Sequence, residues 1–438
     1  MSVKIFYCYA NEDKKLRAEL EKHLGILKRQ ELITDWSDRN IDAGKEWVKE
    51  IDINLNTANI ILLLISPDFV HSDYCYSIEM QRALERHENG TARVIPIILR
   101  HGDYEGAPFN HLQALPSDAV PVTDRKWQKR DAAFFDVAKG IRKIVKELHY
   151  EQYLYDGNLY FHRQQYKEAL TAFEEAIGLN PTNALAYISK GQALTHFASH
   201  IEGVFEKIDY CASALAAFEQ VLCLDPNNAC AYTGKGDALS QYSSGDEKEE
   251  ALSAYDQAIR LDSKNDATYI GKGNALMYLE RYDEALAAYE KAIEVSIFPN
   301  LDAYKGQGDA LYHLKRYDDA LAVYEKVIQE FPNSGDVYKD KGDALYHLEC
   351  YDDAVASYYK AIALGFKSAP LYCEIGNLLC LLGYNQKALE AFEQAIRLDP
   401  DFYDAYKRKG NILELLAVEA FEQAKKVDPL GDLEDHPF

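Results

Sequence analysis

The sequence predicts two architectures in one chain of 438 residues: a doubly wound α/β domain over residues 1–148, and an all-α solenoid over residues 151–429 followed by a mobile tail, 430–438. Two observations carry this. Glycines at 157, 191, 236, 273, 308, 342, 376 and 410 recur in steps of 34, 45, 37, 35, 34, 34 and 34 residues. A period near 34 belongs to stacked helical hairpins, none of which buries its apolar face alone. Ahead of them, short apolar runs alternate with long amphipathic stretches, the pattern of a parallel sheet wrapped by helices.

In the first region Val3–Tyr9, Ile60–Ile65 and Val94–Leu99 read as strands buried on both faces. Glu12–Leu27, Glu46–Leu55, Cys75–Arg86 and Asp131–Leu148 have helical periodicity with long polar faces. Ligands of such a sheet gather at the carboxyl ends of its strands.

In the second region Gly273-Asn274-Ala275-Leu276 precedes Tyr282-Asp283-Glu284-Ala285, and Gly308-Asp309-Ala310-Leu311 precedes Tyr317-Asp318-Asp319-Ala320. Each unit reads as two amphipathic helices and a tight turn, with the Gly and the Ala twelve residues later small where the helices cross. Pro181, Pro226, Pro299, Pro332 and Pro400 close units. The step of 45 implies about eleven extra residues around His200–Tyr210, as a longer hairpin or a protruding loop. In the last unit Ala417 follows Gly410 by seven residues instead of twelve. About five turn residues are missing, which makes this unit an incomplete cap after seven full repeats.

Charge separates the regions. Residues 1–150 hold 22 Lys and Arg against 23 Asp and Glu, and the remaining 288 hold 26 against 48. So acidic a surface repels nucleic acid and anionic lipid and favours neutral or basic polypeptides. The longest apolar run, Ile60–Ile65, is far too short to span a membrane, and a cytoplasmic location is expected. The eight cysteines form no C-x-x-C pair, so we expect reduced, mostly packed thiols and no metal.

The Gly-x-Ala-Leu and Tyr-x-x-Ala units resemble the tetratricopeptide repeat (TPR). In that family first-helix positions line a concave groove. The resemblance therefore implies a protein or peptide ligand met by Asn158 and Asn274, one residue after the marker glycine, and by His162, His196, His313 and His347, five after it. The alternative is that this polar row only bonds neighbouring backbone, and a His row in an acidic groove would also respond to pH.

Ile5-Phe6-Tyr7-Cys8-Tyr9 followed by Glu12-Asp13 resembles the opening strand of a TIR (Toll/interleukin-1 receptor) domain, with Cys8 in place of the common Ser. Trp36-Ser37-Asp38-Arg39-Asn40-Ile41-Asp42-Ala43-Gly44-Lys45-Glu46-Trp47 is similar to the BB loop of bacterial members, and Ile65-Ser66-Pro67-Asp68-Phe69 to the approach to their catalytic helix. The common Trp-Cys-x-x-Glu is here Cys75-Tyr76-Ser77-Ile78-Glu79, one residue longer. The resemblance implies a flavodoxin-like parallel sheet, self-association through the BB loop, and cleavage of NAD+, as substrate and without a cofactor, at its nicotinamide–ribose bond. That reaction passes through an oxocarbenium-like sugar, which one carboxylate stabilises.

Glu79 is the catalytic residue carried over, with Ser72, Tyr74 and Cys75 before it. Tyr7, Cys8 and Tyr9, through their backbone, and Asp38, Arg39, Gly44 and Trp47 around the BB loop are the expected substrate contacts. Bacterial proteins of this build commonly serve in anti-phage or toxin-like defence. The competing reading is a non-enzymatic adaptor whose TIR domain only self-associates. A TPR co-chaperone, with Lys305, Lys339 and Lys407 as a basic clamp, conflicts with the acidic total.

Overall fold

The computed structural model describes residues 2–36, 47–242 and 245–427; Asp38, Arg39, Gly44 and the tail 430–438 lie outside them. Four parallel strands, β1 (Val3–Tyr9), β2 (Ile33–Trp36), β3 (Ile60–Ile65) and β4 (Arg93–Ile98), stand in the order β2-β1-β3-β4. Tyr7 of β1 faces Leu62 of β3, which faces Ile95 of β4. Every residue of β3 is buried, so its sequence has no polar alternation. β2 is absent from the expected strands. Four residues at the sheet edge, Ile33-Thr34-Asp35-Trp36, give too short and mixed a signal.

One face of the sheet packs Ile5, Tyr7 and Leu62 against α1 (Lys14–His23), α2 (Gly25–Arg29) and α6 (Arg130–His162). The other packs Phe6, Cys8 and Leu63 against α3 (Trp47–Thr57), α4 (Pro67–His71) and α5 (Met80–Glu88). The expected helix Glu12–Leu27 is divided at Leu24 into α1 and α2. The one expected from Cys75 opens with a π-helical turn, Cys75–Glu79.

α6 runs unbroken for 33 residues. It crosses residues 148–151, where the sequence places the division between sheet domain and repeats, and the compact unit that holds the sheet extends to Ala193. The second unit begins at Leu194. The remaining helices are α7 (Tyr166–Leu179), α8 (Ala184–Ser199), α9 (Val204–Leu224), α10 (Ala229–Leu239), α11 (Gly245–Leu261), α12 (Asp266–Tyr278) and α13 (Tyr282–Val295). They continue as α14 (Leu301–His313), α15 (Tyr317–Glu330), α16 (Gly335–His347), α17 (Tyr351–Ala363), α18 (Ala369–Leu381), α19 (Asn385–Leu398) and α20 (Tyr403–Val427). The extra residues after His200 lengthen α9 to 21 residues, against 14 in α13 and α15.

The marker glycines have a physical reason. A Cβ on Gly308 would stand 2.4 Å from the ring of Tyr324, and one on Gly306 2.4 Å from the ring of Tyr289. Gly273, Gly342 and Gly376 meet Tyr289, Tyr358 and Phe392 in the same way. The small residue therefore seats the second-helix aromatic sixteen positions on, while the alanine at twelve, such as Ala320, is itself fully buried. Gly308→Ala is expected to destabilise the array by about 1–3 kcal/mol through overpacking. Gly178→Ala, with open space around it, gains a few tenths to about 1 kcal/mol from helix propensity. Urea unfolding of the two variants checks both signs.

Candidate functional site

Alternation along β1 sends Phe6 and Cys8 to the α3–α5 face and Tyr7 and Tyr9 to the other. Cys8, near the carboxyl end of a central strand, has no exposed surface. Opposite it stands Glu79, 6% exposed. The Cys8 thiol donates to Glu79 Oε2 at 2.7 Å, across 71 residues of sequence.

The approach to Glu79 is built locally. Ser66 follows β3 and caps α4, its Oγ accepting from the Phe69 N–H at 3.1 Å, with Pro67 in the first helical turn. α4 stops at Ser72, whose Oγ accepts from the Cys75 N–H at 3.3 Å. The π-helical turn follows, and its wider winding takes up the one residue by which this segment exceeds the family spacing. Cys75 and Glu79 both stay buried, and the Cys75 thiol donates to the Tyr9 carbonyl at 3.5 Å.

Burial pushes the Cys8 thiol well up, with Cys75 and the Glu79 charge adding to the effect, so Cys8 remains a donor. Cys75 is lowered to about 7, chiefly by its hydrogen bond with Cys8 and further by Ser72. Tyr74 is pushed up to about 12 by burial and then by the Glu79 charge. A carboxylate is thus enclosed among a protonated thiol, an acidified thiol and a protonated phenol. Such a group can accept hydrogen bonds from a sugar's hydroxyls or face a developing positive charge.

A second network at the same sheet edge escaped the sequence reading. Asp13, 1% exposed, accepts from Ser66 Oγ and pairs with Arg100 Nη2 at 2.9 Å, and Arg100 also bonds Asp68. Burial raises the Asp13 carboxyl while Ser66 and Arg100 pull it down. This network joins the residues just past β1, β3 and β4. The Ser-Pro cap was its one readable sign.

The other expected contacts divide. Tyr7 is buried on the opposite face, its hydroxyl donating to Asp35 Oδ2 at 3.2 Å, and the Tyr9 ring lies under the Arg17 guanidinium at 5.2 Å. Of these two residues the structure brings only the backbone of Tyr9 to the Cys75 side. Trp47 begins α3, with its side chain outside the described set.

In the repeats, the polar row next to the marker glycines bonds side chains rather than backbone. Tyr255, Tyr289, Tyr324 and Tyr358 donate to Asp237, Asn274, Asp309 and Asp343 at 2.7–2.8 Å. The His313 ring stacks on Tyr282 at 4.8 Å, and His347 on Tyr317 at 4.5 Å. These histidines tie a first helix to the second helix of the preceding unit. Asn158, His162 and His196 lie at the surface; partial enclosure of the His196 ring, then His200, lowers its pKa. A cavity of about 320 Å³ joins His347 and Tyr312 to Asp343, Tyr346, Glu374 and Asn377 over Leu378 and Leu381.

Burial pushes Asp237 up to about 6, against the hydrogen bond from Tyr255. A raised folded-state pKa gives stability that is complete below the unfolded value near 4 and is lost as pH rises through about 6. Asp237→Asn keeps an acceptor for Tyr255 and removes the charge. It is expected to stabilise the protein by on the order of 1–2 kcal/mol at about pH 7.5, with little effect near pH 4, as read by denaturant unfolding at both.

A TIR domain model matches residues 5–134. Tetratricopeptide repeat models match 270–335 and 369–402, and a TPR repeat model matches 157–195. An uncharacterized protein, y4lF, of Sinorhizobium fredii (strain NBRC 101917 / NGR234) is 52% identical over 141 residues, 32% of this chain and 43% of its own length. The chain thus spans less than half of that relative. Among solved structures, the TPR protein YrrB, described as having an unusual peptide-binding site, is 26% identical over 45% of this chain and 99% of its own, at a TM-score of 0.39. PilF of Pseudomonas aeruginosa is 20% identical over 52% and 97%, at 0.44. Among the described residues no helix is long and apolar enough to cross a membrane. With its parallel sheet, its helical hairpins and the matches to TIR and TPR family models, the chain is a TIR domain followed by TPR repeats, a TIR–TPR fusion.

Proposed function

We propose that the TIR domain cleaves NAD+ at the nicotinamide–ribose bond, and that the TPR array binds a protein or peptide that governs this activity, in a bacterial defence or signalling role. The observation that carries the reading is the Glu79 carboxylate, held at 2.7 Å by the Cys8 thiol beside the carboxyl end of a parallel sheet in a TIR domain. In the reaction the C1′–N bond breaks and its electron pair leaves with nicotinamide. Glu79 stabilises the positive ribosyl group and accepts from its hydroxyls, in place of Cys8. Water, or a nitrogen of the adenine in a cyclisation, then adds to C1′ and gives up a proton.

Burial of Glu79 to 6% means that substrate reaches it only after the site opens, which agrees with activation by self-association of TIR domains. The same burial favours the second reading, an adaptor that performs no chemistry. Nicotinamide release from NAD+ across a wide range of protein concentration separates the two. Turnover that rises faster than linearly supports an assembly-gated enzyme, and none in the assembled protein supports the adaptor.

A further inference from the structure

The last repeat contains the sequence of a second helix but not the turn that would fold it back. Ala417-Val418-Glu419-Ala420-Phe421-Glu422-Gln423-Ala424 reproduces Ala388-Leu389-Glu390-Ala391-Phe392-Glu393-Gln394-Ala395 of α19 with one change, Val418 for Leu389. Upstream, Gly410–Leu416 matches Gly376–Leu382 of the preceding unit. What is missing is the equivalent of Gly383-Tyr384-Asn385-Gln386-Lys387, which holds the left-handed residue Gly383 (φ +79°) and the start of α19. With no such residue to end the first helix, α20 continues straight for 25 residues.

Among the described residues this leaves a first helix without its mate. In the preceding unit the Phe392 ring fills the notch at Gly376, whereas a Cβ on Gly410 meets nothing within 4 Å. Leu379 is 4% exposed and its counterpart Leu413 is 46% exposed; Phe392 is 1% and Phe421 49%. Gly410 and Phe421 are eleven residues apart, close to three helical turns, so they face one side about 16 Å from each other. On one rigid helix the ring never reaches its own glycine.

We propose that α20 pairs antiparallel with α20 of a second copy of this chain, each supplying the second helix that the other's last repeat lacks. The pairing is self-consistent. Setting Phe421 of the second copy on Gly410 sets Phe421 on the second copy's Gly410, and the two-fold axis then passes between Leu415 and Leu416, at the midpoint of Tyr403–Val427. Tyr403, Tyr406, Gly410, Leu413, Ala417 and Phe421 are all exposed and spaced by three or four residues, the seam of a two-helix coil. The same register lays Lys409, which pairs with Glu393 of α19 at 2.9 Å, beside Glu422 of the second copy as a further carboxylate. Loss of a hinge turn is a general route to exchanged helices between identical chains.

Sedimentation equilibrium of the full chain tests this, with two variants: insertion of Gly-Tyr-Asn-Gln-Lys after Leu416, which restores the turn, and Leu413→Glu, at an exposed position in the seam. We expect the unmodified protein at twice the chain mass and both variants at the chain mass, with helix content by circular dichroism retained. A single-chain mass for the unmodified protein overturns the proposal, and so does a dimer that survives either change and is therefore held by another surface.

Discussion

Under the proposed activity, replacing Glu79 by glutamine is expected to lower nicotinamide release from NAD+ by about a hundredfold or more, the usual scale for removing the group that stabilises transition-state charge. Glutamine has the same shape and keeps an oxygen to accept from the Cys8 thiol, so the packing around Cys8, Cys75 and Tyr74 is preserved while the negative charge is lost. Unchanged thermal unfolding beside lost turnover would place the effect in the chemistry. Full turnover in the variant would remove Glu79 from the reaction. The charge has a second readable effect, because it contributes to the high pKa of Tyr74, which is expected to fall in the variant when the phenol is titrated by ultraviolet absorbance.

Arg100→Ala is expected to destabilise the sheet domain by about 3 kcal/mol, because it leaves the enclosed Asp13 carboxylate without its cation. The sign of the pH dependence follows from the same pair. Burial already raises the Asp13 pKa, and without Arg100 it rises further. The protonated acid then suits the folded state, so stability is retained at low pH and lost as pH rises through the new value. Unfolding midpoints should therefore differ from the unmodified protein more at about pH 8 than at about pH 5. Asp13→Asn combined with Arg100→Ala should recover part of the loss, since the pair acts as a unit.

The elements that the sequence announced share one property: their signal is local. Ile60–Ile65 is apolar without interruption because both of its faces are covered, and the glycine period persists because Gly157, Gly236, Gly273, Gly308, Gly342 and Gly376 each seat an aromatic ring. The edge strand Ile33–Trp36 has no such run. At the site, Glu79 and Cys75 were readable from a motif, but the thiol that holds Glu79 lies 71 residues away, and only the sheet brings it there. The π-helical turn that absorbs the longer Cys75–Glu79 spacing has no side-chain signature, being a change in backbone winding. Asp13, Ser66 and Arg100 follow three different strands, so their meeting is a consequence of strand order.

The 33-residue α6 has its first half against the sheet, through Phe134, Val137 and Ile141, and its later residues Tyr150, Tyr153 and Leu154 against α7. A joint of that kind has no slack. Torque applied to the first hairpin is delivered to the back of the sheet along a single rod, as through a drive shaft, without a tether to dissipate it. Excising the sheet domain at residue 148 would saw through that rod and strip the hairpin of its backing, so a truncation that respects the mechanics keeps the chain through Ala193.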